Sequence, residues 1–207
     1  MPIKINRYDN GVFEENTYVI RETERNVAAV IDPGEFSKEI QNVIDSTNGL
    51  RYIFLTHAHS DHMRDADEYM KRWPDAKLVV HKDDAEMLEN ASINYSQETV
   101  GKKIELKPDI CVEDKDKLDF GAETVKIIHT PGHSSGGMCL LIDGKLFSGD
   151  TLFYRSVGRT DLYGGDWDAL KKSVKNKLYA LPDETEVYPG HGPATKIGDE
   201  KRSNPYV

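Results

Sequence analysis

Seven histidines occur in this chain, and five of them, His57, His59, His62, His133 and His191, fall in polar or Gly/Pro-rich stretches just past predicted strands. Asp61 and Asp150 occupy comparable places. Imidazole and carboxylate donors with no thiolate suit zinc, iron or manganese. A lone loop histidine is ordinarily a solvated or hydrogen-bonding residue. Three histidines and an aspartate between positions 57 and 62 are too crowded to serve a packing purpose, so the run T-H-A-H-S-D-H reads as metal-binding. His133 in HTPGHSSG, Asp150 in SGDT and His191 in YPGHG gain weight from that run. If Thr56 to Asp61 continues the preceding strand, side chains 57, 59 and 61 share one side and His62 points to the other. One short loop then serves two metals. A helix would instead pair His57 with Asp61 and His59 with His62 around a single metal, but the β-type run Tyr52 to Leu55 favours the strand.

Other polar residues read more plainly. His129 stands at a strand end and is expected to be structural or to support a ligand, and His81 is expected to be a satisfied histidine. Asp32, in the IDPG turn, is expected to cap its own loop with an Asx-type hydrogen bond. No Ser-His-Asp or Cys-His arrangement is visible, and a metal-activated hydroxide would need none.

These residues must be positioned by short elements. IKINRY, TYVIR and NVAAVID predict strands, the last ending at Pro33-Gly34, and Phe36, Ile40, Val43 and Ile44 set a helical stripe that stops near Gly49. Tyr52 to Leu55 is a strand that breaks into the histidine run, and Met63 to Trp73 reads as a helix ended by Pro74. A strand KLVVH and a helix DDAEMLENA follow. Residues 91–116 are polar and weakly periodic, which predicts a surface excursion or lid. TVKIIH, GMCLLI and KLFSG predict strands, the last two joined by the Asp143-Gly144 turn. A Gly-rich loop, the helix WDALKKSVKNKLYAL, a strand TEVYPG and a tail without core pattern complete the chain.

Composition narrows the function classes. A chain of 207 residues with 38% hydrophobic and 30% charged residues predicts one mixed α/β domain over 1–207. No apolar run approaches the roughly 20 residues of a bilayer span, and MPIKINRYDN has no apolar signal core, which predicts a cytoplasmic protein without membrane association. Cys111 and Cys139 form no C-x-x-C spacing and read as ordinary buried thiols of a reducing compartment. A net charge of -9, with no basic stripe interleaved with aromatics, argues against nucleic acid as a partner.

The motifs THAHSDH at 56–62, HTPGHSSG at 129–136, SGDT at 148–151, GRTD at 158–161 and YPGHGP at 188–193 resemble those of the metallo-β-lactamase-fold hydrolases, and within them the short glyoxalase II-like proteins. The resemblance implies an αββα sandwich with a binuclear site at one edge of two packed sheets. Carried over position by position, it places His57, His59 and His133 on a first metal, Asp61, His62 and His191 on a second, and Asp150 between them. It also places Arg159, with Tyr154 as a further contact, where a carboxylate of a glutathione-like substrate would sit. The alternative for Arg159 is an ion pair with Asp161. Full-length glyoxalase II enzymes append a helical region that supplies much of the glutathione site, whereas this chain ends 16 residues after His191. The resemblance thus implies a thioesterase of the hydroxyacylglutathione type in which either a partner subunit completes the pocket or the substrate is smaller or different.

Two divalent cations, zinc first and iron or manganese as alternatives, would sit about 3.5 to 4 Å apart and require an anionic bridge such as Asp150 plus a hydroxide. Asp61 would orient that hydroxide. A thiolate leaving group, from a thiol of pKa near ~8.5, departs without a strong general acid, which suits a site poor in spare acids. Two competing readings share these residues. A persulfide dioxygenase of the same fold would use one iron on His57, His133 and Asp150, and a metal-holding module would do no chemistry.

Overall fold

The computed structural model describes residues 3–10 and 13–207, so four positions of the domain expected over 1–207 lie outside the described residues. Six strands form the first sheet in sequential order: β1 (Ile3–Asn10), β2 (Glu15–Glu22), β3 (Val27–Ile31), β4 (Leu50–Phe54), β5 (Lys77–His81) and β6 (Ile110–Val112). The first three pair antiparallel, and β3 to β6 run parallel. The second sheet contains β7 (Lys117–Phe120), β8 (Glu123–His129), β9 (Met138–Ile142) and β10 (Lys145–Gly149). A two-stranded ribbon, β11 (Leu152–Phe153) with β12 (Ser156–Val157), precedes its last members, β13 (Glu186–Pro189) and β14 (Thr195–Lys196). Among the described residues seven α-helices accompany the strands: α1 (Lys38–Asp45), α2 (Ala66–Arg72), α3 (Ala85–Leu88), α4 (Ala91–Asn94), α5 (Ser96–Thr99), α6 (Trp167–Lys172) and α7 (Ile197–Ser203). The π-helical turn Ser173–Leu178 extends α6.

Strand alternation builds the layers, because successive side chains point to opposite faces. Ala28, Val30, Ile53, Leu78 and Val80 pack outward against Ile40 and Ile44 of α1 and Tyr69 of α2. Their neighbours Ala29, Ile31, Tyr52, Phe54 and Val79 face inward and meet Val125, Ile127, Met138, Leu140 and Phe147 of the second sheet. Cys139, Leu146 and Val187 cover the far face together with Val174, Leu178 and Ile197. The result is helix, sheet, sheet, helix, the αββα sandwich expected. Because β3, β4 and β5 are parallel, and β10 is parallel to β13, the carboxyl ends of these strands reach a common edge, where open α/β sheets characteristically bind ligands.

Local signals explain several boundaries. Ser37 caps α1 by accepting from the Ile40 amide, and Asp166 caps α6 by accepting from Ala169. Asp143 and Gly144 take φ of 48° and 72°, as the two-residue hairpin between β9 and β10 requires. Four expectations fail. The helix expected from Met63 begins only at Ala66, since residues 60–65 turn to let the Asp65 amide donate to Pro33 O. Residues 91–116 are not a loose excursion: Asn94 is fully buried with its amide donating to Met87 O and Ile104 O, and Ile110–Val112 join the first sheet. The tail folds as β14 and α7 around buried Ile197 and Glu200, the glutamate accepting from Thr195, Asn204 and the Arg155 amide. In both cases polar anchors replace the apolar stripe that a sequence pattern would show. Cys111 is exposed on an edge strand, unlike buried Cys139. No helix among the described residues is long and apolar enough to cross a membrane.

Candidate metal centre

All seven predicted donors meet at that common edge. His57, His59 and His133 offer ligand atoms within 4.8 Å of one another, and so do Asp61, His62 and His191. In the first triplet His133 Nε2 lies 2.8 Å from His59 Nδ1 and 3.2 Å from His57 Nε2. In the second, His62 Nε2 lies 3.3 Å from His191 Nε2, and Asp61 Oδ2 lies 3.4 Å from the latter. Asp150 stands between them, Oδ1 3.4 Å from His62 Nε2 and Oδ2 3.5 Å from His133 Nε2. The extended-strand reading of 56–61 is corrected. Strand β4 ends at Phe54, and the turn that follows groups Asp61 with His62 rather than with His57 and His59.

Hydrogen bonds on the outer ring nitrogens fix how the imidazoles face. His133 Nδ1 is 2.8 Å from Arg159 O and His191 Nδ1 is 3.1 Å from Phe13 O; a carbonyl only accepts, so both Nδ1 atoms carry the proton. His62 Nδ1 lies 3.0 Å from Asp32 Oδ2 and donates to it. Thr56 Oγ1 gives its proton to Asp32 Oδ2 at 2.7 Å and therefore accepts from His57 Nδ1 at 3.1 Å. Four Nε2 lone pairs are left facing the centre, the arrangement by which outer partners orient metal-binding histidines. Such convergence is repulsive without a shared cation. His59 Nε2 and Asp150 Oδ1 are likewise buried with no hydrogen-bond partner among the described residues. These observations fit a pair of divalent ions held by nitrogen and carboxylate donors.

The electrostatics agree. Burial, reinforced by the other imidazoles, pushes His59 down to about 3 and His57 well below its ordinary value, so both stay neutral with free lone pairs. Burial opposes charge on Asp150 as well, but His62, His133 and His57 outweigh it and hold the carboxyl well below the usual range. Asp61 is lowered in the same way, burial being overcome by His62 and His191. His62 moves in the other direction: burial lowers it, yet Asp150, Asp61 and Asp32 raise it well above the ordinary imidazole value. Positive charge is favoured where these groups converge.

Several residues that hold the site carry no motif of their own. Asp32 does not cap its own loop; its carboxylate accepts from the Thr56 amide, the Thr56 hydroxyl and His62, and the available signal was its place just past a buried strand, like that of the ligands. Buried Glu15 lies with Asp32 and His62, and burial raises its carboxyl well above the usual range. Asn16 donates to Pro189 O and Gly192 O, both at 2.9 Å, and its amide donates to Gly190 O, pinning the His191 loop. Gly190 must lack a side chain, because a Cβ there would overlap Asp150 Oδ1 and His62 Cε1. Asp84 accepts from the amides of Ala58 and Gly136 and from the Ser134 hydroxyl. His81 and His129 stack on each other with centroids 3.8 Å apart, and His129 Nε2 reaches Ser135 O at 2.9 Å.

A cleft of about 550 Å³ opens above the centre, lined by Phe13, Tyr95, Phe153, Val157 and Leu162 around His59, Asp61, His133, Asp150 and His191. Arg159 lines it too, but its guanidinium donates twice to exposed Asp161, at 2.6 and 2.7 Å. Tyr154 is 47% exposed beneath the Arg155 guanidinium and does not line the cleft.

Comparison with known proteins gives a consistent result. The family model of the metallo-β-lactamase superfamily matches residues 10–191. A hydroxyacylglutathione hydrolase of Haemophilus influenzae is 32% identical over 199 residues, covering 94% of this chain and 93% of its own length. Among solved structures, the BLEG-1 B3 metallo-β-lactamase superposes with a TM-score of 0.90 at 34% identity, covering 98% and 99% of the two chains. The di-iron-bound form of TTHA1623 gives a TM-score of 0.83 at 34% identity, covering 98% and 100%.

Proposed function

The chain belongs to the metallo-β-lactamase superfamily, and we propose that it is a binuclear metal-dependent hydrolase that cleaves thioesters of the hydroxyacylglutathione type. The observation that carries this reading is the pair of ligand triplets joined by Asp150 at the floor of an open, largely apolar cleft. His57, His59 and His133 would hold one ion, Asp61, His62 and His191 the other, and Asp150 would touch both. When bound, two such cations, zinc first and iron or manganese as alternatives, acidify water from a pKa of 15.7 to roughly 7 and supply positive charge to a developing oxyanion.

The residues of the chain do the rest. Asp61, kept ionised and partly open to solvent, accepts a hydrogen bond from the attacking water and aims it at the carbonyl in the cleft. The apolar walls at Phe153, Val157 and Leu162 exclude bulk water and receive the acyl chain. A thiolate leaves without a proton donor, so no acid beyond these groups is required. Arg159 can offer a donor to a substrate carboxylate, in competition with Asp161.

The test is turnover of lactoylglutathione and a panel of acyl thioesters by protein of known metal content, with a β-lactam as a further substrate class. Thioester hydrolysis that scales with two metals per chain is expected. Inactivity towards every thioester at full occupancy would reject the reading. One iron per chain with sulfide-dependent oxygen consumption would transfer the site to oxidation.

A further inference from the structure

Asp84 lies outside every motif of the site, yet it is fully buried and all the partners of its carboxylate are on the two loops that carry the first triplet. Oδ2 accepts from the Ala58 amide at 3.2 Å, between His57 and His59, and from Ser134 Oγ at 2.7 Å, next to His133. Oδ1 accepts from the Gly136 amide at 2.6 Å. These loops are separated by about seventy residues and leave different sheets, β4 in one case and β8 in the other, so no local hydrogen bond can set their spacing. The backbone approach is close enough that a Cβ on Gly136 would overlap the Asp84 amide. None of the three bonds is made to Asp61, His62 or His191 themselves; Asp32 bonds to the His62 ring and Asn16 holds the His191 loop.

We propose that Asp84 is a positioning residue that clamps the two loops of the first triplet and thereby sets the metal affinity of His57, His59 and His133 without setting that of Asp61, His62 and His191. A buried carboxylate accepting three hydrogen bonds cannot lose one oxygen to an amide group without turning a donor towards donors. The clamp acts on backbone, so its loss splays the histidines rather than removing a ligand. The inference rests on the two-triplet reading of the site. It is separable from the thioesterase reading because its readout is metal binding.

The experiment is a cobalt(II) titration of the metal-free full-length chain, followed by absorption spectra, with His133→Ala and His191→Ala identifying which binding step belongs to which triplet. Asp84→Asn is expected to weaken the first-triplet step by roughly 10- to 100-fold, the usual cost of losing an outer partner, while the other step stays within about threefold. Ser134→Ala, which keeps the bonds to Ala58 and Gly136, is expected to weaken the same step by a smaller factor and to fold where Asp84→Asn does not. Equal weakening of both steps, or no change in either for both variants, would overturn the proposal. A failure to hydrolyse thioesters would leave it intact.

Discussion

The two halves of the candidate centre are held in different ways. His57, His59 and His133 are 1%, 5% and 5% exposed and sit on loops tied through their backbone to Asp84. Asp61, His62 and His191 include a carboxylate, are partly open at Asp61 and His191, and have Asp32 bonded directly to a ligand ring. The first half is buried, with its two loops tied together at Asp84. The second is more anionic, more accessible and relies on one buried ion pair. Asp150 stands between the two, its oxygens 3.4 Å from His62 Nε2 and 3.5 Å from His133 Nε2.

That contrast can be broken most completely at the shared residue. Asp150→Ala is expected to lower occupancy of both metals and abolish hydrolysis, and elemental analysis that finds two ions still bound would remove Asp150 as the bridge. A smaller effect is expected from Asp32→Ala, which strips His62 of its acceptor directly and loosens His57 only through the Thr56 hydroxyl. It should cost about 1.5 to 3 kcal/mol in urea unfolding of the metal-free protein and weaken chiefly the second-triplet step. Equal weakening of both steps would mean that the halves are not separately supported.

Acid sharpens the comparison from the other side, because the stacked pair His81 and His129 backs the first-triplet loop. Burial, with His129 alongside, pushes His81 down to about 4. The sign follows from the unfolded value near 6.5: the neutral ring favours the fold above that pH, and the contribution is lost as pH falls from about 6.5 towards 4. Metal-free protein should lose stability over that window from this residue, and His81→Leu should flatten the slope. An unchanged slope in that variant would place the acid sensitivity elsewhere. The smallest effect is expected at the rim, where Arg159→Ala should raise KM several-fold for a carboxylate-bearing thioester with kcat preserved. A fall in kcat at constant KM would instead assign Arg159 to the transition state.

Much of this was legible in the chain itself. Strand periodicity predicted the short strands, the resemblance implied the two packed sheets, and the hairpin at Asp143-Gly144 lies where its turn residues place it. The ligand types were visible because so many imidazoles in so short a run have no packing role. Arg159 shows the limit, since both its expected partner and its alternative were nameable, and the ion pair with Asp161 emerges only from the folded loop. Asp84, Glu15 and Glu200 were illegible because a buried carboxylate is marked by its donors, which come from distant segments.

Sequence by itself determined which atoms could bind metal and that short strands must deliver them to loops. Strand periodicity left their division open and the resemblance only implied one; the tertiary structure decided it at the level of atoms, placing Asp61 beside His62 and His191. The reason is physical: donor type is a property of a side chain, whereas grouping depends on where loops turn, and these loops are held by bonds that Asp32 and Asp84 accept and that Asn16 donates across the fold.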